Sequence, residues 1–215
     1  MGAAAMRDSD GSGTVGERDR MSAMGCQSDC CAAGREAAQA GAQRPSGGFV
    51  TDARMEAIEL IRTHPLYKEH LARLAELEWE RVFCCHGIDH LFDTARIAWI
   101  FNLEYNLGFR KEVVYAAALM HDIGKDEQYE HGTPHEEASA RIAREIMADM
   151  GEAFDEAERD AIATAILEHR RLPKGASLLG AMLYDADKAS RKCFACSVRE
   201  DCSWSSEKMN LSVRV

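Results

Sequence analysis

The sequence predicts an all-α protein: a helical bundle followed by a short cysteine-rich C-terminal segment. Three observations support this. From Phe49 to Arg191 apolar residues recur at three- and four-residue spacing, the period of helices with a buried face. No stretch reads convincingly as a strand, and no internal repeat is visible. Pro65, Pro134, Pro173 and cap-type residues divide the pattern at helix-like intervals.

Taken in chain order, residues 1–48 come first and differ from the rest. Half of them are Gly, Ala or Ser, and Val15 is alone among Leu, Ile, Val and Phe. Such a segment cannot bury enough apolar surface to offset its ordering entropy. It is expected to be a disordered tail, and Cys26, Cys30 and Cys31 within it a costly set of ligand donors. Residues 49–191 are the expected helical domain. Met55, Ile58 and Ile61 mark one helix face; Leu66, Leu71, Leu74 and Leu77 continue it beyond Pro65. A helix over Ile88–Asn102 carries apolar residues on two faces, so it should be buried. Val113–Met120 is apolar all round and reads as the central helix. Gly124 after it suits a left-handed helix end, and a polar loop is expected to follow. Thr133-Pro134-His135-Glu136 reads as a helix start with Thr133 as N-cap and Pro134 at the first position. Asp155 and Glu158 have capping-box spacing before Ala161–Leu167. A last long helix is expected from about Ala176 to Arg191. Residues 192–215 form the cysteine-rich segment.

The chain has 215 residues and a formal net charge of -10. An acidic chain is a poor candidate for gripping a nucleic-acid polymer, which needs a basic face. Its longest apolar run is far too short to span a bilayer, and no signal-like apolar core stands near Met1. A cytoplasmic protein is therefore expected, and its eight cysteines point to metal or redox chemistry before disulfides.

His121-Asp122 ends the most apolar helix. Polar groups delivered from a buried helix need partners, and a divalent ion suits imidazole with carboxylate. Other metal-competent side chains occupy similar places. His90 begins the buried helix, His135 opens a helix, His169 closes "AIATAILEH", and Asp187 lies in the core-like stretch "LYDADKAS".

"HLFDTAR", "HDIGK" and "DADK" resemble the HD-domain superfamily of metal-dependent phosphohydrolases, over roughly Cys84 to Arg191. The resemblance implies an HD-type helical bundle with His90, His121, Asp122 and Asp187 as ligands. Asp185 cannot share the helical face of Asp187, and the family pattern favours Asp187. His135 and His169 stand where two-metal members add histidines. Two divalent transition ions (Mn, Fe, Co, Ni or Zn) are implied, with Asp122 bridging them and acting in catalysis. Lys125 would neutralise a phosphate. Arg170 and Arg171, next to His169, are candidates for further phosphate contacts, and Arg96 is a weaker one. His86 is a substrate or supporting residue on the helical side of His90.

"KCFACSVREDCSW" is a metal knuckle lacking its fourth ligand. "FCCH" offers Cys84 or Cys85, so Cys84, Cys193, Cys196 and Cys202 form a candidate second metal site. Zinc is the first expectation there, and an iron–sulfur cluster the alternative. Three functions follow as competing expectations. The first is a phosphohydrolase acting on a small phosphorylated substrate such as a nucleotide. The others are a di-iron oxygenase on the same fold and a non-catalytic nucleotide-binding module.

Overall fold

The structure is a computed structural model, and it describes residues 55–213. The expected tail of residues 1–48 lies outside the described residues. The described chain is all-α, with no strand among the described residues. Its helices are α1 (Glu56–Thr63), α2 (Pro65–Leu77), α3 (Ile88–Glu104), α4 (Lys111–Met120), α5 (Lys125–His131), α6 (His135–Asp149), α7 (Glu156–Glu168) and α8 (Leu178–Ser190).

The central helix is α4. Every residue from Val113 to Met120 is buried, as an apolar run without a polar face requires. Helix α3 packs along α4 and α8, while α7 packs against α4, α6 and α8. Helix α1 rests on α4, and α2 on α5. Pro65 divides α1 from α2 by sitting at the first position of α2, where its missing N–H costs nothing. The capping box read at Asp155 and Glu158 forms as expected: Asp155 accepts from the Glu158 backbone and Glu158 from that of Asp155.

Three local expectations are corrected. The polar stretch after Gly124 is not a loop but the seven-residue helix α5, which ends at left-handed Gly132 (φ 76°). Gly124 is not left-handed (φ -91°). Its role is close approach: a Cβ there would lie 2.6 Å from the Ser139 backbone nitrogen and 2.7 Å from Ala138 Cβ. The glycine thus lets α6 press against the end of α4. Thirdly, Thr133 does not cap α6. Pro134 takes the N-cap place and His135 is the first helical residue. The Gln128 side chain on α5 accepts the His135 backbone N–H at 3.2 Å, so the neighbouring helix supplies the cap.

The last helix ends at Ser190. Beyond it the chain makes two short 3-10 turns, Cys193–Ala195 and Arg199–Asp201. This segment returns to the bundle through Asn210, whose amide donates to the Ala189 carbonyl at 2.7 Å.

Candidate metal centre

A buried helix end leaves carbonyls without partners, and the end of α4 shows how "MHD" resolves this. His121 Nδ1–H donates to the Ala118 carbonyl at 2.7 Å. The Tyr67 hydroxyl donates to the Leu119 carbonyl at 3.2 Å. With Nδ1 committed in this way, His121 Nε2 is the nitrogen left to face a metal ion. His169 repeats the device at the end of α7, its Nδ1 lying 2.6 Å from the Ile166 carbonyl.

The other two histidines are oriented across helices. Ser190 gives its hydroxyl proton to the Asp187 carbonyl at 2.7 Å, so at 3.0 Å it accepts from His90 Nδ1. Gln128 Oε1 accepts from His135 Nδ1 at 2.6 Å. All four imidazoles therefore commit Nδ1 to a hydrogen bond and turn Nε2 inward. The inward nitrogens pair closely: His90 with His121 at 3.3 Å, and His135 with His169 at 3.2 Å.

Asp122 stands between the two pairs. Its Oδ2 lies 3.5 Å from His90 Nε2 and 3.3 Å from His121 Nε2. Its Oδ1 lies 3.3 Å from His135 Nε2 and 3.5 Å from His169 Nε2. Asp187 Oδ1 joins the first pair, 3.3 Å from His90 Nε2. The ligand atoms of His90, His121, Asp122 and Asp187 all lie within 4.8 Å of one another, as do those of Asp122, His135 and His169. Every one of these residues is buried. Asp187 Oδ1 is buried without a hydrogen-bond partner, an expense that a bound cation removes. The donor set, two groups of imidazole and carboxylate sharing one aspartate, fits borderline divalent ions.

Electrostatics point the same way. Burial alone would raise the Asp122 carboxyl, but the charge on His121 and its hydrogen bond help hold it well below the usual carboxylate range. Asp187 is likewise held low against burial, chiefly by His121, His90 and Lys188. Burial opposes charge on His121, yet the two aspartates push it up to about 9. A proton and a metal ion compete for that Nε2 lone pair. Burial keeps His135 neutral, pushed down to about 2.

Residues 87–192, which include all six of these residues, match the HD domain. The chain is also 40% identical over 159 residues to an uncharacterized protein of Clostridium beijerinckii, covering 74% of this chain and 99% of that protein. The chain belongs to the HD domain family. It is 25% identical over 149 residues to Ribonuclease Y of Thermoanaerobacter pseudethanolicus, covering 69% of this chain but 27% of that protein. A crystal structure described as a predicted HD superfamily hydrolase from an uncultured Thermotogales bacterium is similar, with TM-score 0.49 and 24% identity. That similarity covers 72% of this chain and 87% of the other.

Around this HD domain centre the remaining expected residues divide. Arg170 and Arg171 line a cavity of about 280 Å³ with His135, His169, Asp187, Lys188, Trp204 and Lys208. Arg170 is paired with Glu136 at 2.9 Å. Lys125 opens α5, and its ammonium is drawn down by burial against the pull of Asp122. It is not in that cavity's wall. Arg96 points away: it is exposed and faces Asp93 at 3.7 Å. Asp185 is exposed, as its helical position demands. His86 is not on α3, which begins at Ile88. It is nevertheless buried, its ring 6.0 Å from that of His90. His86 Nδ1 lies 2.5 Å from Glu78 Oε1, which also accepts from the Tyr129 hydroxyl at 2.7 Å.

Arg191 was not expected. It is buried, with Nη2 2.9 Å from His90 Nε2 and 3.6 Å from Asp187 Oδ1. Its Nη1 donates to the Cys85 carbonyl at 2.9 Å. In the sequence Arg191 marks only the end of the last expected helix. The supporting residues Gln128 and Ser190 were likewise missed, because polar side chains on separate helices carry no mark of what they face.

Proposed function

We propose that this chain is a metal-dependent phosphohydrolase acting on a small phosphate ester such as a nucleotide. One observation carries the reading: four Nε2 atoms and two aspartates converge in two groups that share Asp122. His90, His121, Asp122 and Asp187 would hold one divalent ion, and Asp122, His135 and His169 a second. Bound there, such ions supply Lewis acidity that makes water nucleophilic near neutral pH and polarises a phosphoryl oxygen.

The chain's own residues would do the rest. Asp122 stays ionised and offers one oxygen to each group. Arg171 and Lys208, both exposed in the cavity wall, would pair with substrate phosphate oxygens. Arg170 and Lys188 lend positive potential while keeping their carboxylate partners. Lys125 adds a partly buried cation beside Asp122. In a chain of net charge -10 this local positive field favours an anion. The Trp204 ring in the same wall offers a face for a base or other planar group. A cavity of about 280 Å³ is at the small end for small-molecule sites, which favours a small ester over a polymer. The ribonuclease name of one relative supports phosphoester chemistry, although this chain spans about a quarter of it.

Phosphate release from a panel of nucleotides and simple phosphate esters, with added Mn, tests the reading. The wild type should turn over at least one of them, and His121→Ala should lose about 100-fold or more of that activity. Oxygen uptake with Fe(II) and no phosphate release would instead identify an oxygenase. Nucleotide binding without turnover under any metal would identify a binding module.

A further inference from the structure

The C-terminal segment holds a second cluster of chemistry that the histidine centre does not use. Cys84, Cys193 and Cys202 line one cavity of about 140 Å³, together with Arg81, Asp201 and Trp204. Cys196 follows Cys193 by one 3-10 turn, closed by its N–H to the Cys193 carbonyl at 3.3 Å. Burial raises the pKa of the Cys193 thiol, and charge on the other three cysteines would raise it further. The fold itself brings the distant Cys84 there. Arg191, two residues before Cys193, holds the Cys85 carbonyl, and Arg81 Nε donates to the Cys84 carbonyl at 3.0 Å.

We propose that Cys84, Cys193, Cys196 and Cys202 bind one zinc ion, and that this ion fixes Trp204 in the wall beside the histidine centre. The spacing Cys-x-x-Cys with two further cysteines is that of a closed, four-thiolate structural site. No strand occurs among the described residues, so the pair has none of the βαβ context of a redox Cys-x-x-Cys. Arg81 in the wall offsets part of the thiolate charge. Zinc–sulfur bonds of about 2.3 Å put the sulfurs about 3.8 Å apart. The thiols are more widely spread than the histidine groups, whose ligand atoms lie within 4.8 Å, so zinc binding requires the four side chains to close on the ion.

The segment has a physical need for such a link. After Ser190 it has two single-turn 3-10 helices. Phe194, Leu211 and Val213 are exposed, while Cys193 and Asn210 are buried. A segment that buries so little depends on a cross-link or a metal for its order. Its position has a consequence: Trp204, two residues after Cys202, lines both the cysteine cavity and the cavity over His135 and His169. Zinc at the cysteines would therefore set one wall of the substrate cavity from outside it. The wall's role in substrate binding rests on the proposed function; the zinc site does not.

Metal content and thiol reactivity of the full chain, purified without chelator, test this. Titration of native wild type with a mercurial should release one thiolate-held zinc per chain, and four of the eight thiols should resist a mild thiol reagent until then. His121→Ala and Cys85→Ser should keep that zinc; the double variant Cys193→Ser/Cys196→Ser should lose it. Cobalt in place of zinc should give thiolate charge-transfer absorption in wild type. Free reaction of all eight thiols without metal release would overturn the site. So would an iron–sulfur chromophore or a disulfide among the four. For the wall, zinc release should shift tryptophan emission in wild type but not in Trp204→Phe. Release of zinc with no Trp204-dependent change would overturn that second part while leaving the first.

Discussion

At the residue scale, the centre depends on which ring nitrogen each histidine presents. His121 and His169 are set by carbonyls of their own helices, three residues back. They need only the helix to be oriented. His90 and His135 are set by side chains from other helices, Ser190 and Gln128. They are the vulnerable pair. Residues that orient a ligand typically cost 10–100-fold in metal affinity when removed. Gln128 does double duty, since it also caps α6. Gln128→Ala is therefore expected to weaken metal binding by about 10- to 100-fold and to lower stability by about 1 kcal/mol through the lost cap. Isothermal titration with Mn or Zn, beside thermal unfolding of the metal-free protein, separates the two effects. Unchanged affinity would mean that packing alone orients His135.

At the element scale, the question is what holds α5 and α6 against the end of α4. Gly124 is one answer. Its missing Cβ admits the Ala138–Ser139 backbone, and its N–H donates to Ser139 Oγ at 2.9 Å. Gly124→Ala has to push backbone away, so it should cost about 1–3 kcal/mol and move His135 from its partners. A lowered melting temperature with weakened metal retention checks this. The second answer is His70 on α2, whose Nδ1 donates to Asp126 on α5 at 2.7 Å. That hydrogen bond, more than the opposing burial, raises the His70 pKa above its ordinary value. A raised pKa stabilises the folded protein fully below the unfolded value, and the contribution is lost as pH rises through the folded one. The stability advantage of wild type over His70→Gln should thus be greater at about pH 6 than at about pH 9. Urea unfolding of both proteins at each pH measures it, and a pH-independent difference would rule out a charged His70. Neither device is visible in the sequence. Gly124 reads as a helix end because glycine usually serves there, and α5 reads as a loop because KDEQYEH has no apolar stripe. Apolar runs announce α3, α4 and α7 because burial dictates their composition. Close backbone approach and a short helix held by its neighbours are tertiary facts.

At the scale of the whole molecule, a continuous apolar core coexists with a buried ionic centre. The six converging residues could be picked out in the sequence because metal-competent side chains stand in apolar stretches or at helix ends, where packing alone gives them no purpose. Their division into two groups around Asp122 depends on how five helices meet. No helix among the described residues is long and apolar enough to cross a membrane. That core runs from Ile58 and Ile61 on α1 through α4 to Leu183 and Ala186 on α8, and it includes none of the six converging residues. The bundle should therefore keep its helices when metal is removed. The centre itself then holds two ionised aspartates, offset by His121, Lys188 and Arg191. Binding of ions to the folded state alone adds about 1.4 kcal/mol of stability for each tenfold excess over the dissociation constant. Chelated protein is expected to show an undiminished helical circular-dichroism signal and a lower melting temperature. The temperature should recover with the logarithm of added Mn or Zn. His121→Ala should blunt that recovery, because it removes one ligand from the first group. A melting temperature indifferent to metal would show that the convergent donors bind no ion in the folded protein. Loss of the helical signal on chelation would show that the core cannot stand without them.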